Sequence, residues 1–212
     1  MKYPDFKEER RLWRQGIKIV VGMDEAGRGP LAGPVVACAL SVDPKFYAEK
    51  FKIRVNDSKK LTLLKREKLF ESLTKHKCIG WGIGKVSEKT IDKINILEAT
   101  KLAMKKAVKS LEKKLKFKDV EFLILDGNFK VDMDIPQKSV VRGDEKVFSC
   151  AAASILAKVT RDRIMVKYHR EYPRYGFNRH KGYPTEYHFK ALKKYGPCKI
   201  HRKTFWPVKG LR

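Results

Sequence analysis

The sequence predicts an α/β fold in which helices pack against a mixed β-sheet. Several short apolar runs have the length and composition of strands, and two long segments carry apolar residues every three to four positions. These two kinds of segment follow one another along the chain, which is typical of helices packed on a sheet. Because 42% of the 212 residues are hydrophobic, we expect a packed core rather than a disordered chain.

The first half of the chain is predicted to contain three strands and one helix. A Gly- and Pro-rich segment separates the first two strands, so we expect it to turn the chain back into a hairpin. Ser58 or Thr62 is available to cap the helix. Three glycines in the third strand leave one of its faces with little bulk. The predicted elements are a polar helix or arm at 1–16, strands at 17–23, 35–42 and 78–86, and a helix at 61–73.

The second half is predicted to hold two long helices and two short strands. The strand at 120–125 follows a long helix, so it should return parallel to an earlier strand by a right-handed crossover. We expect one domain over 1–212, with an arm at about 1–16 and a helical C-terminal extension from about 168. The predicted elements are helices at 94–115, 147–168 and 185–194, and strands at 120–125 and 139–141.

The charge of the chain points to a polyanionic partner. Lys and Arg number 49 against 24 Asp and Glu, a formal net charge of +25. A lysine-rich thermophilic surface is the alternative, but it usually carries glutamate in similar numbers. Binding to a membrane surface is disfavoured, since no basic amphipathic helix with bulky aromatic residues stands out. Nucleic acid is therefore the expected partner.

The cysteines and the apolar runs predict a reduced, cytoplasmic setting. Cys38, Cys78, Cys150 and Cys198 are too far apart in sequence to form the pairs of a zinc site. Cys38 and Cys150 lie in apolar runs and are expected in the core. No apolar stretch approaches the roughly 18–20 residues of a membrane span. The first sixteen residues lack the apolar middle of a secretory signal.

Carboxylates follow two predicted strands at their carboxyl ends. Asp24 and Glu25 come after the strand ending at Met23, and Asp126 comes after the strand ending at Leu125. If these strands are neighbours, the three acids converge, and like charges that converge must protonate, repel or bind a cation. Oxygen ligands without His or Cys indicate Mg²⁺ or Mn²⁺. The alternative is that each acid caps a turn or a helix.

Two further acids are open to interpretation. Asp144 stands just before the helix predicted at 147–168, where an N-cap is the better local interpretation. A helix N-terminus near bound metals would also suit a phosphate. Asp162 lies in mid-helix between two arginines, so an ion pair is the expected role.

Other segments offer groups for a phosphate or a sugar. Gly27-Arg28-Gly29 combines an open backbone with a guanidinium that can fork onto a phosphate. Ser58 and Lys59 offer a hydroxyl and an ammonium group, although they also suit a solvated helix start. Tyr183 could stack on a sugar or base, but a single tyrosine is more often packed. His180 could donate a proton or lie on the surface.

The order of these motifs resembles that of the type 2 ribonucleases H, most closely the bacterial branch. The resemblance covers roughly residues 17–210. It is carried by Asp24-Glu25-Ala26-Gly27-Arg28-Gly29, Asp57-Ser58-Lys59-Lys60-Leu61, Asn95-Ile96-Leu97-Glu98-Ala99-Thr100, Leu125-Asp126-Gly127-Asn128, Gly143-Asp144, Ala151-Ala152-Ala153-Ser154-Ile155-Leu156-Ala157-Lys158, Arg161-Asp162-Arg163, His180-Lys181-Gly182-Tyr183 and His201-Arg202.

The resemblance implies an RNase H-like fold, with a five-stranded mixed sheet flanked by helices and a helical C-terminal extension. It also implies four catalytic, metal-ligating acids, which by motif are Asp24, Glu25, Asp126 and Asp144. This assignment replaces the local preference for Asp144 as a cap and leaves Asp162 structural. Two Mn²⁺ or Mg²⁺ ions are expected to act together on the scissile phosphate, giving 5′-phosphate and 3′-hydroxyl ends.

The resemblance further implies how the substrate is recognised. The match at Gly27-Arg28-Gly29 implies contact with a ribose 2′-hydroxyl, and the match at Tyr183 implies packing against the following deoxyribose. The expected substrates are RNA/DNA hybrids and duplex DNA with embedded ribonucleotides, and the expected roles are ribonucleotide and primer removal. Three small departures from the family pattern, none of them at a ligand, are Arg142, Cys150 and Pro184. Pro184 could shift Tyr183 and soften the preference for a single ribonucleotide.

Two other functions remain open at this point. A non-catalytic RNA-binding module would explain the charge but not the acids at the strand ends. A junction resolvase of the same structural class would not need a 2′-hydroxyl. We expect a monomer, and the short segment before the first strand is expected to leave no room for the N-terminal substrate-binding domain of the ribonuclease HIII branch.

Overall fold

A five-stranded mixed sheet forms the centre of the computed structural model, which describes residues 3–48, 55, 58, 61–115 and 119–211. The strand order across the sheet is β3-β2-β1-β4-β5. The predicted α/β fold with a mixed sheet is therefore confirmed. The strands are β1 (Val20–Ala26), β2 (Val35–Val42), β3 (Ile79–Val86), β4 (Phe122–Asp126) and β5 (Gln137–Val140).

The pairing of the strands agrees with the predicted hairpin and the predicted parallel return. Strands β1 and β2 pair antiparallel, with Asp24 opposite Cys38. Strand β4 returns parallel to β1 and places Leu125 opposite Met23. Because these two strands are parallel neighbours, their carboxyl ends lie side by side at one edge of the sheet.

Seven α-helices surround the sheet in the described part of the chain. Five of them correspond to predicted helices, three of these to within three residues at each end. Two short ones, α2 and α6, were missed because four or five residues are too few to show helical periodicity. The helices are α1 (Lys7–Arg14), α2 (Pro44–Ala48), α3 (Leu63–Lys75), α4 (Glu88–Lys114), α5 (Phe148–Glu171), α6 (Phe177–His180) and α7 (Glu186–Tyr195).

Helix α4 begins six residues before its predicted start because it contains a kink. Asn95 has φ 64° and ψ 169°, outside the helical region. Its side chain accepts hydrogen bonds from the amides of Leu97 (2.9 Å) and Glu98 (3.1 Å), as an N-cap does. The kink therefore starts a second helical run, and the regular apolar spacing was visible only from there.

Helices α4 and α5 cover opposite faces of the sheet, and each closes its own apolar core. On the α4 side, alternate residues such as Val21 and Met23 face the helix. Strand β3 meets α4 without intervening side chains, since a Cβ on Gly82 would lie 2.2 Å from the Ala107 carbonyl oxygen and one on Gly84 would lie 1.9 Å from that of Ala103. The face of β3 with little side-chain bulk, which the sequence predicted from its glycines, is therefore the surface on which α4 packs.

Helix α1, predicted as a polar helix or arm, packs onto the body of the protein. Leu12 and Glu9 are both buried. Glu9 Oε1 accepts hydrogen bonds from the Ser149 amide (2.9 Å) and hydroxyl (2.8 Å), so it stabilises the first turn of α5. Burial raises the pKa of Glu9 to about 7. Among the helices described, none is long and apolar enough to cross a membrane.

Candidate active site

The strand that carries the first acidic pair lies three residues further along the chain than predicted. Strand β1 continues through Ala26 because Asp24, Glu25 and Ala26 all pair with β2, so the acids lie within the strand rather than after it. Asp126 is the last residue of β4 instead of the residue beyond it. These acids still lie close together, as predicted, because β1 and β4 are adjacent and parallel.

Three of the four predicted ligands form one cluster. One carboxylate oxygen from each of Asp24, Asp126 and Asp144 lies within 4.8 Å of the other two. Asp24 and Asp144 are buried. Burial raises the pKa of Asp24 well above its usual range, and the charges of Glu25 and Asp126 raise it further. A divalent cation held by oxygen ligands would relieve this repulsion, so the donor set fits Mg²⁺ or Mn²⁺.

Hydrogen bonds from neighbouring residues orient these acids. The Ser154 hydroxyl on α5 donates to Asp24, and its oxygen lies 3.0 Å from that of Ser58. The Gly143 amide donates to Asp126 Oδ1 at 2.7 Å. Such outer contacts orient carboxylates before a metal binds.

Asp144 does not cap the following helix, so the local interpretation of this residue was wrong. It lies in a 3₁₀ turn at Gly143–Glu145, whereas α5 starts at Phe148 with Val147 in the cap position. The capping interaction comes from Glu9, which is far away in sequence. Asp144 is therefore placed beside Asp24 and Asp126, in agreement with the resemblance.

Glu25, the fourth predicted ligand, lies next to the cluster but outside it. Its Oε1 accepts a hydrogen bond from Arg28 Nη1 at 3.4 Å. The Arg28 guanidinium also lies over the ring of Phe129, 5.7 Å from its centre. Arg28 thus faces a carboxylate in this structure, and a phosphate would have to displace or share that contact.

A groove of about 480 Å³ opens beside the cluster. Gly29 and Tyr183 face each other across it, since a Cβ on Gly29 would lie 3.9 Å from Tyr183 Cε1. Tyr183 is 38% exposed, so its ring is available to a ligand. The groove is lined by Asp24, Glu25, Ala26, Gly27, Arg28, Gly29, Ser58, Arg66, Ser154, Lys158 and Tyr183.

The two residues predicted to bind phosphate ahead of α3 differ in outcome. Ser58 lines the groove but is buried and hydrogen-bonded to Ser154, which places it behind Asp24. Lys59, like its neighbours Asp57 and Lys60, lies outside the described residues. The role of Lys59 therefore stays a prediction.

Three polar groove residues were not predicted from the sequence as site residues. Arg66 Nη1 donates to the Ser58 carbonyl at 2.8 Å and to that of Leu61 at 2.6 Å, so α3 anchors the segment before it. Ser154 and Lys158 lie one turn apart on α5. Their spacing of four residues puts them on one helix face, and that polar stripe could have revealed them.

The two residues judged structural or ambiguous both make fixed contacts. Asp162 pairs with Lys158, four residues earlier, at 2.9 Å, so the predicted ion pair exists but does not involve the flanking arginines. His180 is half-buried rather than a surface residue. The Gly182 amide donates to His180 Nδ1 at 3.1 Å, and His180 Nε2 therefore donates to the Tyr175 carbonyl at 2.7 Å.

Comparison with known proteins gives consistent matches over nearly the whole chain. The family model described as ribonuclease HII matches residues 21–208. The ribonuclease HII of Caldanaerobacter subterraneus subsp. tengcongensis is 52% identical over 197 residues, covering 93% of this chain and 78% of the relative. That of Acetivibrio thermocellus is also 52% identical over 197 residues, covering 93% and 73%.

One solved structure extends the comparison to the fold. The crystal structure of the ribonuclease H2 from Pyrococcus horikoshii superposes with a TM-score of 0.71 at 29% identity. The alignment covers 91% of this chain and 96% of that one. The five-stranded sheet and its flanking helices are therefore shared by both proteins.

Proposed function

Because this chain belongs to the ribonuclease HII family, we propose that it cuts the RNA strand of RNA/DNA hybrids and nicks duplex DNA on the 5′ side of single embedded ribonucleotides. As a ribonuclease H it is a nuclease that hydrolyses phosphodiester bonds with the help of metal ions. The proposed roles are removal of ribonucleotides and RNA primers from DNA. The observation that carries the proposal is the cluster of Asp24, Asp126 and Asp144 beside a groove lined by cationic side chains.

We assign the cation site to Asp24, Asp126 and Asp144, with Glu25 as the neighbouring fourth carboxylate. Divalent ions bound there, two of them in the proposed mechanism, would supply an activated water and stabilise the departing 3′-oxygen. Four carboxylates carry −4, which two divalent ions would neutralise. The products would be 5′-phosphate and 3′-hydroxyl ends. Ser154 and the Gly143 amide keep Asp24 and Asp126 oriented for this task.

The cationic groove residues attract and orient the substrate backbone. Lys158 and Arg66 line the groove next to the acids. Their charges favour a phosphate at the position where the acids alone would repel one. Arg28 can add a forked contact if it leaves Glu25. The remaining positive charge of the chain attracts the duplex from a distance.

The facing pair of Gly29 and Tyr183 supports recognition of an RNA-to-DNA step. Without a side chain, Gly29 lets a ribose approach the backbone closely, where the 2′-hydroxyl can hydrogen-bond. The exposed ring of Tyr183 offers an apolar surface on which the next sugar, lacking a 2′-hydroxyl, can pack. The short distance between the two fits adjacent nucleotides rather than separate sites.

The decisive experiment uses an end-labelled DNA duplex with one central ribonucleotide, incubated with Mg²⁺ or Mn²⁺. We expect a nick on the 5′ side of the ribonucleotide that disappears when a chelator is added. An all-DNA duplex of the same sequence serves as the control and should stay intact. Cutting of long hybrids alone would retain the metal site but reject the role of Tyr183.

The same assay, run also on a four-way DNA junction, separates the two alternatives. A junction resolvase would cut the all-DNA junction and leave both linear duplexes intact, because its substrate needs a branch and no 2′-hydroxyl. A binding module would retain the duplex without cutting any RNA-containing strand. Affinity for the duplex should also fall steeply with salt, by on the order of a thousandfold between about 50 and 200 mM if six phosphates are contacted.

A further inference from the structure

Arg202 lies directly beneath the loop that carries Gly27-Arg28-Gly29. Its side chain is fully buried. The guanidinium donates to the Gly27 carbonyl at 2.6 Å and to that of Arg28 at 2.9 Å, and Nε donates to the Gly33 carbonyl at 3.0 Å. One rigid, planar group thus fixes both ends of this loop from below.

The neighbouring residue, His201, reaches the other side of the groove. The Cys198 amide donates to His201 Nδ1 at 2.9 Å, so Nδ1 is unprotonated and Nε2 carries the proton. Nε2 therefore donates to His188 Nε2 at 3.0 Å, and His188 Nδ1 donates to the Tyr183 carbonyl at 3.0 Å. This histidine relay, formed by His201 and His188, thus ends at the backbone carbonyl of Tyr183, the residue that faces Gly29.

Backbone hydrogen bonds join the same three segments. The Leu31 amide donates to the Gly182 carbonyl, the Gly33 amide to that of Ile200, and the Arg202 amide to that of Leu31, each at 2.8 Å. The loop at 27–33 therefore pairs directly with the turn at 180–183, and the segment around residues 200–202 pairs with the same loop. Through the side chains of Arg202 and His201 that segment is also hydrogen-bonded toward both sides of the groove, so it braces the contact between them.

We propose that His201 and Arg202 are positioning residues that hold the 27–29 loop and Tyr183 at a fixed separation, and that this separation sets the preference for an RNA-to-DNA step. The inference rests on the proposed function and extends it to residues that do not touch the substrate. His201 acts through His188 on Tyr183, and Arg202 acts on the loop carbonyls. Because the two are consecutive in sequence, neither side of the groove can shift without straining the other.

The geometry explains why specificity should be more sensitive than cleavage itself. Cutting a long hybrid requires the acids and contact with a ribose, and every nucleotide of the RNA strand supplies a 2′-hydroxyl. Cutting at a single ribonucleotide requires both sides of the groove at once. A displacement on the order of 1 Å at a positioned contact can cost about a hundredfold in rate, and only the second substrate depends on both contacts.

The test compares Arg202→Lys with the parent protein on two substrates, a single-ribonucleotide duplex and a long RNA/DNA hybrid. Lysine keeps the charge but cannot make the forked contacts with Gly27, Arg28 and Gly33. We expect the ratio of kcat/KM values, single ribonucleotide over hybrid, to fall by on the order of tenfold or more. The kcat on the hybrid should change by less than about threefold.

Backbone amide exchange provides a readout that does not depend on activity. In Arg202→Lys the amides of Gly33 and of residue 202 should exchange faster, since the hydrogen bonds from Gly33 to Ile200 and from residue 202 to Leu31 are loosened. His188→Phe removes the contact with Tyr183 while keeping an aromatic ring, and it should lower the same ratio if Arg202→Lys proves too unstable to purify. Arg174→Lys, an exposed arginine of the same extension, is the matched control and should leave the ratio unchanged.

Each outcome bears on one of the two proposals. If the parent prefers the single ribonucleotide and both variants keep that ratio, losing rate on both substrates only in proportion to their folded fraction, the positioning role is wrong and the proposed function stands. If the parent cuts no RNA-containing duplex, the proposed function fails, and the positioning role fails with it. A fall in the ratio with intact hybrid cleavage supports the positioning role.

Discussion

The protein buries charge of opposite sign in two neighbouring places, and the two are treated differently. At the sheet edge, burial raises the pKa of Asp24, and the charges of the neighbouring carboxylates raise it further. Beneath the groove, Arg161 and Arg202 are buried completely. Among the described residues, neither guanidinium forms an ion pair, and both are satisfied by backbone carbonyl oxygens.

This difference distinguishes a site from a scaffold. Each arginine has permanent partners that come with the fold, so its cost of burial is offset whenever the chain is folded. The acids have hydrogen-bond donors but also repel one another, and a bound cation would relieve that repulsion. Buried charge with fixed partners therefore supports structure, while buried charge crowded by like charge is held ready for a ligand.

The largest effect should follow from removing one acid of the cluster. We expect Asp126→Asn to reduce cleavage by at least about a thousandfold, since losing a single group that stabilises charge at a reacting centre already costs about 10² to 10³. Duplex binding should persist, because the basic groove is untouched. Asp132→Asn, which alters an exposed acid paired with Lys105, is the control. Equal turnover by Asp126→Asn and the parent would disprove the site assignment.

The next largest effect should follow from removing one of the two buried arginines, and it is a loss of stability. Arg161 donates to the carbonyls of Pro34, Lys181 and Ala32, so Arg161→Met leaves three buried acceptors without a donor. We expect the free energy of unfolding to fall by about 3 kcal/mol, at about 1 kcal/mol for each. Chemical denaturation measures this. Arg163→Met, two residues along the same helix but exposed, should cost about 1 kcal/mol or less. Equal losses in the two variants would remove the distinction.

A third effect concerns the histidine relay, which is buried without charge. Burial lowers the pKa of His188 to about 4 and that of His201 to about 4. The unfolded chain binds protons near pH 6.5 and the folded one does not, so this contribution is complete above pH 6.5 and is lost as the pH falls toward 4. We expect a loss of about 2 kcal/mol for each histidine between pH 7 and pH 5.

Denaturation of the parent and of His188→Phe at both pH values provides the measurement. The variant lacks one of the two buried rings that resist protonation, so its stability should change less with pH. His180 stacks on His188, and Cys198 contacts His201, so these groups must be left unchanged. An identical pH response in the two proteins would show that the relay is not what titrates.

The smallest effect has the opposite sign to that of the arginine variant. Asp24→Asn removes a buried charge that neighbouring acids disfavour, so with chelator present we expect the free energy of unfolding to rise by about 1 kcal/mol. Added Mn²⁺ should stabilise the parent and have little effect on the variant. A loss of stability in the metal-free variant would mean that Asp24 is satisfied by its fixed partners after all, as the arginines are.

Much of the fold and of the acidic cluster could be predicted from the sequence, because these features depend on residues close together in the chain. Strand β1 and its acids stand out as an apolar run followed by charge, and the parallel return of β4 follows from the helix before it. The assignment of Asp144, by contrast, came from family resemblance and not from its own surroundings. Local reasoning made it a helix cap, since nothing nearby indicates that Glu9 stabilises α5 instead.

What could not be predicted depends on contacts between distant segments. Arg202 is 175 residues from Gly27 along the chain, yet it donates to the carbonyl of that glycine. Asp162 was correctly expected in an ion pair, but its partner is the lysine one turn away, because Arg161 is turned inward to the loop. Which arginine faces inward is decided by tertiary packing, and two adjacent charged residues do not reveal it.

The glycine face of β3 affects how a saturation-mutagenesis scan of this protein should be interpreted. Gly82 and Gly84 lie against the backbone of α4, where even a methyl group would collide. Nearly every substitution there should therefore score as inactive, as completely as at the acids. A map of positions that tolerate no substitution would show two groups, the glycines of β3 and the acids of the cluster. Only the acids belong to the active site. Screening for soluble expression alongside activity would tell them apart, because the glycine variants would fail both screens and the acid variants only one.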